Sequence, residues 1–182
     1  LEVLSTGVAW TFAPTVAVAK DNRWGRTYEA YSSQSPIIKS YAGEIVAGLQ
    51  GPLAGLSTNE SKVIATAKHF IGDGGTLRGV DQGDTIMSLQ ELLDEHGQGY
   101  YEALDAEVQT VMATFNSWNG VKIHGHKFLL TDVLKNQMGF DGFVVSDWNG
   151  IGQVEDCTNN SCAQAINAGV DMVMVPEQWK GF

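Results

Sequence analysis

The sequence predicts an α/β fold built on a parallel sheet: a (β/α)8 barrel that is incomplete, with about five of its later units present and its early strands missing. Three observations carry this reading. Five short apolar runs recur along the chain, at Phe12–Val18, Val63–Phe70, Val108–Phe115, Gly142–Asp147 and Asp171–Val175. Segments of helical period lie between them, and strand–helix alternation with short connections means a parallel sheet with right-handed crossovers. At 182 residues the chain is long enough for one domain with a sizeable core, 1–182, yet short of the roughly 250 residues of a complete barrel.

In chain order, Gly7-Val8-Ala9-Trp10 runs straight into the first strand candidate, as if cut from the middle of a longer chain. The first helix is expected over Ile37–Leu49, where Ile37, Ile38, Tyr41, Ile45, Val46 and Leu49 recur at helical spacing. Val63–Phe70 follows as a strand and opens into Gly72–Thr85, the longest irregular stretch, rich in glycine and aspartate. A loop of that length after a strand end points to function. Gly99–Asp105, Lys127–Met138 and Ala163–Ala168 complete the helical segments.

Composition bounds the partners. A formal net charge of −10 and a pI near 4.6 exclude nucleic acid and an anionic membrane surface, and suit a neutral ligand such as a sugar. No apolar run approaches the roughly 20 residues that span a bilayer. Leu1-Glu2-Val3-Leu4 has neither the basic start nor the apolar core of a signal peptide. The two cysteines, Cys157 and Cys162, form a Cys-x4-Cys pair without nearby His, a poor zinc site. Two readings stay open, a small disulfide loop and two unrelated thiols. The turn-forming residues between them favour the disulfide, and with it an extracytoplasmic site, periplasmic or secreted.

The residue to explain is Asp147. Gly142-Phe143-Val144-Val145 is a short apolar run, β-branched at its centre, of the kind buried on both faces. It ends in Ser146-Asp147-Trp148, so a carboxylate and an indole emerge together at the C-terminal edge of a strand, where parallel α/β folds carry out chemistry. The plain alternative is an Asp capping the next helix, but Asn149-Gly150-Ile151-Gly152 follows instead of a helical pattern.

Lys135 together with Gly142 through Asp147 resembles the active-site signature of glycoside hydrolase family 3, in which a basic residue precedes a Gly-apolar-apolar-apolar-Ser-Asp tail. In that family the Asp is the nucleophile, a role the resemblance carries to Asp147. Asp21-Asn22-Arg23-Trp24-Gly25-Arg26-Thr27-Tyr28-Glu29 is similar to the family's Asp-x-Arg-Trp-Gly-Arg-x-x-Glu segment. There the second Arg reaches sugar hydroxyls, which assigns that role to Arg26; Glu29 more naturally holds an arginine in place. Ala67-Lys68-His69-Phe70 resembles the motif whose Lys and His bind hydroxyls of the first sugar, here Lys68 and His69. It lacks the order of a phosphate-binding loop, and a Lys beside His69 and Asp73 disfavours a metal. No metal and no organic cofactor is implied.

Many members place a Tyr where Phe115 stands, so support of Asp147 from that strand is in question. Trp148 is the candidate platform for a sugar ring, against an alternative role as a buried anchor; Trp118 reads as packing. The resemblance implies a retaining, exo-acting β-glucosidase or β-glucanase that acts on terminal β-glucosyl residues of a β-glucoside or β-glucan oligosaccharide. Its acid/base is expected on a second α/β domain, beyond residue 182. The β-N-acetylglucosaminidase branch, whose loop carries an Asp-x-His, is disfavoured because Gly83-Asp84-Thr85 has no His. The competing reading is an inactive fragment that binds sugar and whose partners are the remainder of the barrel and the C-terminal domain of a parent chain.

Overall fold

The computed structural model describes residues 1–52 and 62–182. Its helices are α1 (Glu2–Ser5), α2 (Ser35–Leu49), α3 (Leu89–His96), α4 (Gln98–Asp105), α5 (Phe128–Gln137) and α6 (Ala163–Ala168). Its strands are β1 (Thr66–Phe70), β2 (Asp84–Thr85), β3 (Thr110–Ala113), β4 (Ser117–Trp118), β5 (Val121–Lys122) and β6 (Phe143–Val145).

The principal sheet runs β1-β3-β6, parallel throughout, with Thr66 opposite Thr110 and Thr110 opposite Phe143. Two extended segments continue it on either side. Ala9–Val18 pairs with β1 through isolated parallel bridges and bonds such as Val16 N–H to the Lys68 carbonyl at 2.7 Å. Beyond β6, Met172 bridges Val145, and Ser146 N–H donates to the Met172 carbonyl at 2.8 Å. The five expected strands therefore lie side by side in chain order, as an arc of a barrel. They are shorter than their apolar runs. Phe12–Val18 forms no regular ladder, because Pro14 has no N–H to give.

Helices cover the outside of the arc. In α2 the buried face is Ser35, Ile38, Ala42 and Val46, a spacing of three and four, while Ile37 and Tyr41 lie exposed. The apolar residues of that helix thus exceed the stripe that meets the core. α5 buries Leu129, Leu130, Val133 and Leu134; it is wound wider than an α-helix, as in the bond from Met138 N–H to the Val133 carbonyl at 2.8 Å. Helix α3 was not foreseen. Its signal is Ser88-Leu89-Gln90-Glu91: Glu91 N–H donates to Ser88 Oγ at 3.2 Å and Ser88 N–H to Glu91 Oε2 at 2.8 Å, a reciprocal cap.

The Gly72–Thr85 stretch is more ordered than its composition suggests. It contains two single-turn helices, Asp73–Gly75 and Leu77–Gly79, and then β2, which pairs with β4 in a second small sheet completed by β5. On the inner floor of the arc, Trp10 Nε1 donates to Thr66 Oγ1 at 2.8 Å, and its ring meets Phe143 edge-on at 5.6 Å. An apolar groove of about 240 Å³ lies between Trp10 and Phe12 at one edge and Met172 and Trp179 at the other. Among the described residues no helix is long and apolar enough to cross a membrane.

Lys135 ties α5 to the segment after α6, its ammonium lying 2.6 and 2.8 Å from the Asp171 carboxylate. That carboxylate also accepts from Val144 N–H at 2.8 Å. The basic position of the signature thus has a structural job, holding the strand that delivers Asp147. Cys157 and Cys162 are joined by a disulfide with Cα atoms 4.8 Å apart. Because the loop spans a sequence separation of only 5, replacing both cysteines with Ser should cost less than the roughly 2–4 kcal/mol typical of a disulfide. Thermal unfolding of the Ser variant measures this, and two titratable thiols in denatured, non-reduced protein would contradict the bond.

Candidate active site

Three chain segments meet at the C-terminal ends of the parallel strands. The loop after Ala9–Val18 brings Arg26 and, on the single turn Thr27–Glu29, Glu29. The end of β1 brings Lys68 and His69, in the stretch where its pairing with β3 slips register between Ala67 and Phe70. The end of β6 brings Asp147 and Trp148.

Their side chains form one continuous polar cluster. Glu29 accepts from Arg26 Nε at 2.8 Å and Nη2 at 2.9 Å, and lies 3.9 Å from Lys68 Nζ. Arg26 Nη2 also meets His69 Nε2 at 2.9 Å. A guanidinium only donates, so Nε2 accepts and the ring hydrogen sits on Nδ1, which donates to Asp73 Oδ2 at 2.9 Å. His69 Nε2 stands 3.6 Å from Asp147 Oδ2.

Asp147 is nearly buried, and its two oxygens differ. Oδ1 accepts from the Trp148 N–H at 2.6 Å. Oδ2 is buried and has no hydrogen-bond partner among the described residues. The Asp147 N–H donates to His124 Nε2 at 2.9 Å.

Burial and pairing tune the cluster. Burial works against the charge on Arg26, but the Glu29 carboxylate outweighs it and the net shift of its pKa is upward. The Arg26 hydrogen bonds hold Glu29 below its ordinary value. Burial pushes Lys68 down, partly offset by Glu29. Desolvation drives His124 down to about 3.

Gly74 shows how tightly the loop under this site is packed. A Cβ there would overlap the Val18 carbonyl, so the turn bearing Asp73 seats against the first strand segment only with glycine. Below it, Asn116 joins the strand ends: Nδ2 donates to Thr85 Oγ1 at 3.0 Å and Oδ1 accepts from Thr114 Oγ1 at 2.6 Å. Thr85 Oγ1 in turn donates to the Gly72 carbonyl at 2.7 Å. Among the described residues, no group of three or more His, Cys, Asp and Glu side chains is placed to hold a metal ion.

Comparison with known proteins bears on this arrangement. The family described as the glycosyl hydrolase family 3 N-terminal domain matches residues 1–181. The chain belongs to glycoside hydrolase family 3. It is similar to the crystal structure of an exo-1,3/1,4-β-glucanase from a Pseudoalteromonas species, with 59% identity and a TM-score of 0.97 over 100% of this chain and 23% of that one. A β-xylosidase of Formosa agariphila is 34% identical over 96% of this chain and 25% of its own length. A periplasmic β-glucosidase of Salmonella typhimurium is 31% identical over 100% of this chain and 24% of its own. The family 3 chain thus spans about a quarter of the curated relatives it matches.

In this family 3 chain, four of the five site residues expected from the sequence, Arg26, Lys68, His69 and Asp147, converge in the one cluster. Trp148 follows along the backbone and is half exposed in this chain. Glu29 holds Arg26 in place as expected: it occupies the forked edge, and Nη2 also serves His69, which leaves Nη1 for a ligand. Trp118 packs, with Nε1 donating to the Met87 carbonyl at 2.9 Å. The loop aspartates are engaged: Asp81 accepts from Trp24 Nε1 at 3.0 Å and Asp84 from Gly120 N–H at 2.9 Å. His124 was missed, and no local pattern in Gly120–Gly125 singles it out.

Proposed function

We propose that this chain is the nucleophile-bearing part of a retaining, exo-acting β-glucosidase or β-glucanase that hydrolyses terminal β-D-glucosyl residues. The observation that carries the reading is the free Oδ2 of Asp147, a buried carboxylate oxygen facing His69 and the Arg26 cluster. Oδ2 attacks the anomeric carbon and forms the glycosyl-enzyme ester as the glycosidic bond breaks and its electron pair leaves with the departing oxygen. Water then releases the sugar. Arg26 through Nη1 and Lys68 bind the hydroxyls of the terminal glucose, and His69, whose two ring nitrogens are bonded to Arg26 and Asp73, orients that guanidinium. Trp148 offers its exposed indole to the neighbouring position.

The partner carboxyl group of a retaining enzyme lies about 5–5.5 Å from the nucleophile. Glu29, Asp73, Asp81 and Asp84 are all bound to other groups, which supports an acid/base supplied from outside the chain. The glucanase and periplasmic β-glucosidase relatives support the substrate class, and the latter, with the disulfide, supports an extracytoplasmic site.

The same observation gives weight to the second reading, a sugar-binding fragment that is inactive alone. Phe12, Met172 and Trp179 are exposed at the two edges of the arc, where apolar surface and unpaired strand backbone favour association. The 182-residue chain is therefore expected to turn over a chromogenic β-glucoside poorly or not at all, and to self-associate, with turnover restored in a longer gene product. Kinetics with β-glucoside and β-xyloside, with and without chelator, and sedimentation measure this. Ordinary turnover by a monodisperse monomer would place the acid/base within the chain, and chelator-sensitive turnover would point to a metal hydrolase.

A further inference from the structure

We infer that His124 is a positioning residue for the nucleophile, fixing the main chain at Asp147 so that Oδ2 is the oxygen presented to the sugar. The inference rests on the nucleophile reading of Asp147. His124 sits on the single turn Ile123–Gly125, after the small second sheet, and is 1% exposed. Its Nε2 accepts the Asp147 N–H at 2.9 Å at the end of β6. An imidazole suits this task because an uncharged ring presents its acceptor nitrogen on one rigid plane.

The turn after the nucleophile closes on the same ring. A Cβ at Gly150 would overlap the His124 ring, so only glycine lets the chain pass there, and Gly150 N–H donates back to the Asp147 carbonyl at 3.0 Å. With its amide held, Asp147 has one carboxylate rotamer stabilised by the Trp148 N–H on Oδ1, and Oδ2 is left free. Burial keeps the ring uncharged, which Nε2 requires in order to accept. A carboxylate at a strand end without these two contacts would be free to rotate.

The test compares His124→Phe, which keeps a ring but removes both nitrogens, His124→Asn, which is too short to reach the Asp147 amide, and His124→Gln, which restores an acceptor. Two quantities are measured: hydrogen exchange at the Asp147 amide, and the rate of covalent labelling by 2-deoxy-2-fluoroglucosyl fluoride. In the labelling step Asp147 Oδ2 bonds to the anomeric carbon and fluoride leaves with the C–F electron pair. Fluoride departs without a proton donor, so the missing acid/base does not enter.

The Phe and Asn variants should exchange the Asp147 amide at least about tenfold faster and label roughly 10- to 100-fold more slowly, with glucose affinity unchanged. The Gln variant should recover most of both. A folded Phe or Asn variant with Asp147 exchange and labelling both unchanged would overturn the inference, as would slow labelling that Gln does not rescue. If a longer gene product that turns over β-glucoside is labelled at a residue other than Asp147 while the variants still free the Asp147 amide, the nucleophile reading fails and the hold of His124 on the Asp147 main chain stands.

Discussion

In a gene product that a 2-fluoro glucoside labels, Asp147→Asn is expected to abolish that labelling, a loss on the order of 10³-fold or more. The substitution is nearly isosteric. An amide oxygen can still accept the Trp148 N–H that Oδ1 now accepts at 2.6 Å, and the backbone bond to His124 is untouched. What disappears is the carboxylate oxygen that forms the ester. The fold should therefore survive, with a circular dichroism spectrum and an unfolding midpoint close to those of the unaltered chain. Intact-mass spectrometry and peptide mapping decide the outcome. A label that persists at another residue would remove Asp147 from the nucleophile's role.

Acid sensitivity is the second large effect. Buried His124 binds its proton only near pH 3 in the folded chain, whereas in the unfolded chain it does so near its ordinary 6.5. Between those values the unfolded state carries more protons, so stability rises with pH and is lost as pH falls. The contribution of His124 is thus fully present above about pH 6.5 and declines by up to about 1.4 kcal/mol for each unit below it. Glu29, held down by Arg26, adds a loss of the same sign, but only below its ordinary value of 4.5. Over roughly pH 6.5 to 4.5 the histidine contribution therefore dominates this pair and amounts to roughly 2–3 kcal/mol. Burial lowers the pKa of His96 as well, and that contribution is common to both proteins compared. Denaturant unfolding across the window should show a shallower pH slope for His124→Gln than for the unaltered chain. Equal slopes would show that the ring is not held uncharged by the fold.

Legibility differed from residue to residue for physical reasons. Asp147 and the Lys68-His69 pair were readable because an apolar run that stops abruptly at polar residues marks a strand end, and strand ends in parallel sheets converge. The length of regular pairing was not readable. Phe12–Val18 is apolar enough for a strand, yet the missing N–H of Pro14 breaks its ladder. Helix α3 escaped because its apolar face is short, although its Ser-x-x-Glu cap is a local signal. Ile37 and Tyr41 show the converse, fitting the helical period while the core takes Ile38, Ala42 and Val46 instead.

By itself, then, the sequence determined the class of fold, the order of its strands, and which polar side chains leave the strand ends. These follow from hydrophobic period and from the chemistry of adjacent residues. Tertiary structure alone decided how those side chains are used. His69 received Arg26 across 43 residues of sequence, and His124 reached the Asp147 amide across 23. Such contacts depend on where the loops return over the strand ends, and that is set by packing such as Gly74 against Val18 and Gly150 against His124. No periodicity along the chain encodes them, because each joins residues that become neighbours only after the arc has closed around its core.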